Sequence, residues 1–204
     1  MRRFLLVAAL LCAALRSAQA DDIARLSDIH VHVHSEIADR AFVGPLMARL
    51  GRQLAPPIAL LETTFDLDRT PSSGGQLDAR SLMDQLLVNL PPQTRGPTIH
   101  VLLIARDMSA SPARFNFAWS FGGPDAERRA IIVSLSRLEA DDPDLTAERV
   151  AKMIVKNVAR TAGHLSTERC VFAFPNSLND LDATPENYCE PDLSALVAAG
   201  VARP

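Results

Sequence analysis

Three sets of side chains in this sequence are spaced so that they could do chemistry. His30, His32 and His34 alternate with Ile29, Val31 and Val33, the period of a half-buried strand, so all three imidazoles project from one face, about 7 Å apart. Two imidazoles at that spacing can share a metal ion; otherwise they form an ordinary polar face, read here as the solvent side of an edge strand. Lys152, Lys156 and Arg160 recur at i, i+4 and i+8, with Arg149 beside them. They form a cationic stripe on one helical face, while Val150, Ile154, Val158 and Ala162 line another face that meets the core. Such a stripe is either a solvated side or a place to hold an anion. Cys170 and Cys189 are a pair of thiols near the C-terminus.

Other chemistries lack their residues. No Gly-x-Ser-x-Gly elbow is present, and Gly74-Gly75 and Gly122-Gly123 do not build the Gly-x-x-x-x-Gly-Lys phosphate cradle. Asp28-Ile29-His30-Val31-His32 matches the Asp-x-His-x-His string of amidohydrolases. That family needs a (β/α)8 barrel of about 250 residues, which the 184 residues left after an expected signal of 20 cannot supply.

The elements that must position these groups are preceded by a segment of another kind. Arg2 and Arg3 lead an apolar run, Phe4 to Leu15, followed by Ala18-Gln19-Ala20, the pattern of a signal peptide with its small-residue cleavage site. The expectation is a signal over residues 1–20 and a single domain over 21–204, exported to a periplasm or secreted. Arg2, Arg3 and Arg16 leave with the signal, so 21 basic residues become 18 against 24 acidic ones. A chain that acidic, with one Trp and one Tyr, is not built to bind nucleic acid. No later apolar stretch is long enough to span a bilayer. Cys12 leaves too, and the remaining pair in an oxidising compartment favours a disulfide over two separate thiols.

Strands are expected at Ile29 to His34, Ile58 to Thr64, Thr98 to Ala105, Phe115 to Phe121 and Ala130 to Leu138. Helices are expected at about Glu36 to Leu54, Gln76 to Leu90 and Leu145 to Ala162, with a short one from Asp192. The long helix has Asp144 or Thr146 as cap and Gly163 where a left-handed stop is wanted. Strands interleaved with a few helices, then a long helix and a loop-rich tail, indicate one α+β or α/β domain.

From Gln76 onward the chain resembles the archaemetzincins, a family of zincin-like metallopeptidases. Gly75-Gln76-Leu77-Asp78-Ala79 looks like the family's Gly-Gln-Tyr-x-Ala. Phe115 to Gly122 is similar to its Asn-Phe-x-Phe-Gly strand, and Ile132 to Leu138 to its Val-x-Ser-Leu-x-Arg-Leu edge strand. Arg149 and Lys152 fall where its active-site helix opens. Cys170-Val171-Phe172, Asn176-Ser177-Leu178, Asp182 and Tyr188-Cys189 track its closing segments. The resemblance implies a zincin-like α+β fold, with a mixed sheet packed against the long helix and a loop-rich C-terminal part.

It also implies a catalytic string, His-Glu-x-x-His-x-x-Gly-x-x-His, in which histidines hold zinc and the glutamate activates its water. In the frame set by Arg149, Lys152 and Gly163, those positions hold Lys156, Asn157, Arg160, Gly163 and Ser166. Counting back from Cys170 instead puts His164 at the third histidine, with Ile154, Val155 and Val158 at the others. Either way at most one ligand survives and the glutamate is absent. The family's four-cysteine structural zinc site is reduced to Cys170 and Cys189, which a disulfide can replace.

The expected function is therefore a catalytically inactive pseudo-metallopeptidase, a scaffold or a binding module with no zinc at the inherited site. Lys156 and Arg160 are candidates to pair with a carboxylate or to bind a protein or peptide through an anionic group. The alternative is an active zinc metallopeptidase whose metal site is rebuilt from His164, His100 and the histidine strand, with Glu168 as base. His30, His32 and His34 are kept as metal candidates.

Overall fold

Alternation along β1 (Ile29–His34) places Ile29, Val31 and Val33 on one face and the three histidines on the other. The strand does not lie at an edge. It pairs in parallel with β2 (Ile58–Thr63) on one side and β5 (Ile99–Ile104) on the other. β8 (Ala130–Ser134) continues the parallel sheet beyond β5, and the short β7 (Ser120–Phe121) closes it antiparallel to β8. The mixed sheet runs β2-β1-β5-β8-β7, and a small second sheet joins β3 (Ser72–Ser73), β4 (Gln76–Asp78) and β6 (Met108–Ser109). The computed structural model describes residues 23–90, 97–110, 117–122 and 129–204. The expected signal, residues 1–20, and part of the expected strand at Phe115 lie outside the described residues.

Each face of the main sheet is apolar for a different partner. Val31, Val33, Val101, Leu103, Ile131 and Val133 pack beneath α1 (Val43–Gln53) and α3 (Pro143–Thr161). Leu102, Ile104 and Ile132 pack beneath α2 (Ala79–Asn89), through Leu82, Met83 and Leu86. β5 and β8 are buried on both sides, which is why, His100 and Ser134 apart, they read as aliphatic runs. Among the described residues no helix is long and apolar enough to cross a membrane.

The long helix α3 begins slightly earlier than the sequence reading. Pro143 occupies its first turn, where a missing N–H is harmless, and Asp142 is the cap, accepting from the Asp144 N–H at 2.9 Å. Asp144 sits inside that turn, and Thr146 instead exchanges hydrogen bonds with the backbone of Ala140. The helix stops at Gly163, whose φ of 96° is in the left-handed region, with the His164 N–H donating to Ala159 O. The expected helix from Glu36 is cut short: residues Ser35–Ile37 form one 3-10 turn, and α1 starts only at Val43. Likewise Gln76–Asp78 is strand, and α2 starts at Ala79 with Asp78 as its cap. The tail carries two short helices, α4 (Leu178–Ala183), which the sequence reading missed, and α5 (Asp192–Ala198).

Candidate functional site: a cationic cleft on the long helix

The cationic stripe of α3 is not a solvated face. Arg149, Lys152 and Lys156 are all buried, because the loop-rich tail folds over them. Arg149 grips Asp182 with two hydrogen bonds of 2.7 Å and also donates to Leu138 O. The Arg149 guanidinium holds the Asp182 carboxyl below its ordinary range. Lys152, 1 % exposed, donates to Leu181 O at 2.9 Å and pairs with Glu148 at 2.6 Å. Tyr188 crosses from the tail to donate to Val155 O. Next to it, the Cys170–Cys189 disulfide closes the tail on itself, with Cα atoms 5.6 Å apart.

One turn further along α3 the tail lifts away and a cleft of about 280 Å³ opens. Its floor is Met153, Lys156, Asn157 and Arg160 from α3. One wall is the edge segment Phe117 to Gly122 with β7, and the other is Phe174-Pro175-Asn176. Lys156 donates to Ala173 O at 2.8 Å and lies 5.5 Å from the centre of the Phe174 ring. Burial, and then the charge of Arg160, push its pKa down to about 8. Asn157 donates to Ser120 Oγ at 3.0 Å and to Met153 O at 2.8 Å, so its amide braces the helix against β7. Two further N–H groups on residues of the cleft, Trp119 Nε1 and Arg160 Nε, are buried without a hydrogen-bond acceptor among the described residues. No described lining residue is acidic.

The remaining candidates lie elsewhere. His164 faces the buried Asp192 of α5, Nε2 to Oδ1 at 2.8 Å, and Ser166 donates to the other carboxylate oxygen at 2.7 Å. Neither lines the cleft. Ile154, Val155 and Val158, the positions of the second alignment frame, are fully buried in the core. None of that frame's three helix positions presents a side chain to the cleft, whereas Lys156, Asn157 and Arg160 share its floor. Glu168 is exposed, and its backbone N–H caps onto Ser166.

The histidine strand is also rearranged relative to expectation. Parallel pairing sets His30 directly opposite His100 on β5, and His30, His32 and His100 bring one ligating atom each within 4.8 Å of one another. His32 Nε2 and His100 Nδ1 are 3.1 Å apart. Burial, then the neighbouring His100 and His30, lower the His32 pKa to about 4. His34 is not part of the group: its Nε2 reaches Phe65 O at 2.8 Å, so the candidate set His30, His32, His34 is corrected to His30, His32, His100. His164 cannot join them, being held by Asp192 at the end of α3, on the opposite side of the sheet. The histidine missed by the local pattern, His100, is visible only through strand pairing.

A mixed sheet with a short antiparallel edge strand, a long helix beneath it and a cleft between the two defines a zincin-like fold. Solved structures agree. The archaemetzincin of Methanopyrus kandleri superposes with a TM-score of 0.67 at 21% identity, covering 85% of this chain and 95% of that one. The archaemetzincin of Archaeoglobus fulgidus, complexed with malonate, gives 0.66 at 22% identity, covering 82% and 99%. A zinc-dependent peptidase from Methanocorpusculum labreanum gives 0.62 at 18%, covering 82% and 99%. In sequence, the M. kandleri archaemetzincin is 32% identical over 117 residues, 56% of this chain and 62% of the relative. The A. fulgidus protein is 32% identical over 95 residues, 46% and 58%. The chain thus spans about three-fifths of the length of the curated relatives it matches. The family model of Peptidase family M54 matches residues 96–197, and the chain belongs to that family, the archaemetzincins.

The zinc that this family implies does not fit the donors on α3. Lys156 and Arg160 bring fixed positive charge and no lone pair while protonated, Asn157 offers a bound amide in place of a carboxylate, and His164 is engaged with Asp192.

Proposed function

We propose that this protein is an inactive member of the metallopeptidase family that uses the remodelled cleft to bind a carboxylate, in particular the C-terminal carboxylate of a peptide. The observation that carries this reading is that Lys156, Asn157 and Arg160, aligned with the His, Glu and His of the zinc string, line one cleft with no described acid. A cleft with an ammonium, a guanidinium and buried donors lacking acceptors is complementary to an anion and repels a cation. A guanidinium matches a carboxylate in plane and in charge. Trp119, Phe117 and Phe174 supply apolar walls for the residue that carries it.

Export to a periplasm or to the outside belongs to the same proposal. Its supports are the apolar run with Ala18-Gln19-Ala20 and the Cys170–Cys189 bond, which an oxidising compartment sustains.

The test is calorimetric titration of the whole protein with malonate and with one peptide in free-acid and amidated forms. Binding of malonate and the free acid, with the amide at least ~10-fold weaker and the Lys156→Ala, Arg160→Ala variant weakened alike, is expected. Equal binding of acid and amide, or peptide cleavage that requires a metal on α3, defeats the proposal.

A further inference from the structure

On the sheet face opposite the α3 cleft, the geometry points to a second site: we propose that His30, His32 and His100 together hold one divalent transition-metal ion, Zn2+ by donor type. Imidazole nitrogen is a ligand for zinc, copper and nickel, and three such donors leave a position open for water or an outside group.

Register creates the site. His30 and His100 are direct partners across β1 and β5, and His32 lies two residues along on the same face, so three rings meet at one patch. Ring centroids are 5.3 Å apart for His30–His100 and His32–His100, and 6.3 Å for His30–His32. Zinc–nitrogen bonds of 2.0–2.1 Å in a tetrahedron set nitrogen–nitrogen edges of about 3.3–3.4 Å. The His32–His100 pair, at 3.1 Å, already has nearly that length. Measured from the 4.8 Å that bounds the three ligating atoms, no edge need close by more than about 1.5 Å, within reach of ring rotation. His32 and His100 are 9 % and 2 % exposed and so prearranged, while half-buried His30 can swing and leaves the entry path.

A purely structural explanation accounts for only part of this. One mutual hydrogen bond accounts for two of the four ring nitrogens of the buried His32–His100 pair, and a third imidazole, His30, converges on the same patch. The neighbouring positions of the same sheet face, Leu102, Ile104 and Ile132, are aliphatic, and packing alone would favour such residues at His32 and His100. His34, fourth on that face, turns to Phe65 O instead, so the convergence is selective.

The experiment uses the whole protein, stripped with a chelator and then titrated with Zn2+ alone. One equivalent should bind, and at ~100-fold excess over Kd the Tm should rise by roughly 5–10 °C. His30→Gln, at a half-buried position, should weaken binding at least ~100-fold, beyond the 10–100-fold usual for groups that merely support a ligand. Lys156→Ala with Arg160→Ala should leave it unchanged. Should the His32 or His100 variants fail to fold, imidazole nitrogen NMR on the wild-type protein reads the same point: three histidines, His30, His32 and His100, must shift with zinc. Absence of stoichiometric binding, binding indifferent to His30→Gln, or zinc-induced shifts at His34 or His164 instead would overturn the proposal.

Discussion

Replacing Lys156 with methionine tests the electrostatics of the cleft directly. Lys156 is 8 % exposed, and burial lowers its pKa from 10.5 to about 8. A lowered folded-state pKa means that the unfolded chain binds the proton better, so the charged lysine opposes folding most strongly below pH 8. Stability then rises with pH between about 8 and 10.5, as both states lose the proton. From these values the opposition amounts to about 3 kcal/mol at pH 7 and roughly half that at pH 9.5. Wild type should therefore gain about 2 kcal/mol relative to Lys156→Met across this interval. Urea melts of both proteins at the two pH values measure it, and subtraction removes every other titrating group common to both. A stability difference that does not change with pH, or that moves in the variant's favour, would refute the burial argument. If the same charge holds a carboxylate as proposed, affinity for malonate should fall as pH rises past 8.

Other perturbations reach the tail and the former metal positions. Cys170→Ser with Cys189→Ser should lower stability by about 3 kcal/mol in denaturant melts, because the crosslink closes a loop of sequence separation 19. Arg149→Met leaves Asp182 without its two-pronged partner and Leu138 O without its donor. It should cost about 2–3 kcal/mol and abolish the part of the acid sensitivity that comes from the lowered Asp182 pKa, both read by melts at pH 7 and pH 3. Restoring the zinc string by Lys156→His, Asn157→Glu and Arg160→His should create a two-histidine zinc site detectable by calorimetry. Adding Ser166→His should not tighten it further, since Ser166 is directed to Asp192 of α5.

What the sequence shows about this fold follows the range of each interaction. β1, β5 and α3 are legible because the period of apolar residues is local, and Gly163 is legible because a left-handed stop needs a residue without a Cβ. Pairing is not local. Nothing near His30 says that β2 covers the outer edge of β1, or that His100, seventy residues on, is its partner while His34 is not. Burial of the Lys152 stripe is hidden for the same reason: an i, i+4 cation pattern reads as a wet face unless the tail that folds over it is known. The cap at Asp142 is hard to single out because Asp141 and Asp144 beside it carry the same capping group. The cleft positions were legible only through the family string, and the geometry then separates the two frames by placing one set in the core.

The three buried cations of α3 have a common cause. The tail after Gly163 has little regular structure to satisfy its own carbonyls, and Leu181 O, Asp182 O and Ala173 O all turn toward the helix. Lysine can meet such acceptors from a distance with several donors, which no aliphatic side chain can do. Arg149 and Lys152 have carboxylates beside them, Asp182 and Glu148, and their charge is balanced. Lys156 has the Ala173 carbonyl, the Phe174 ring and the like charge of Arg160 but, among the described residues, no carboxylate, and Arg160 Nε–H is buried without an acceptor among them. The stripe therefore divides in two: an electrically closed half that fastens the tail, and an open half of net positive charge lining the cleft. A carboxylate placed between Lys156 and Arg160 would complete the second half as Asp182 and Glu148 complete the first. The imbalance that makes the cleft hostile to a divalent ion is thus the same one that gives an anion its reason to bind.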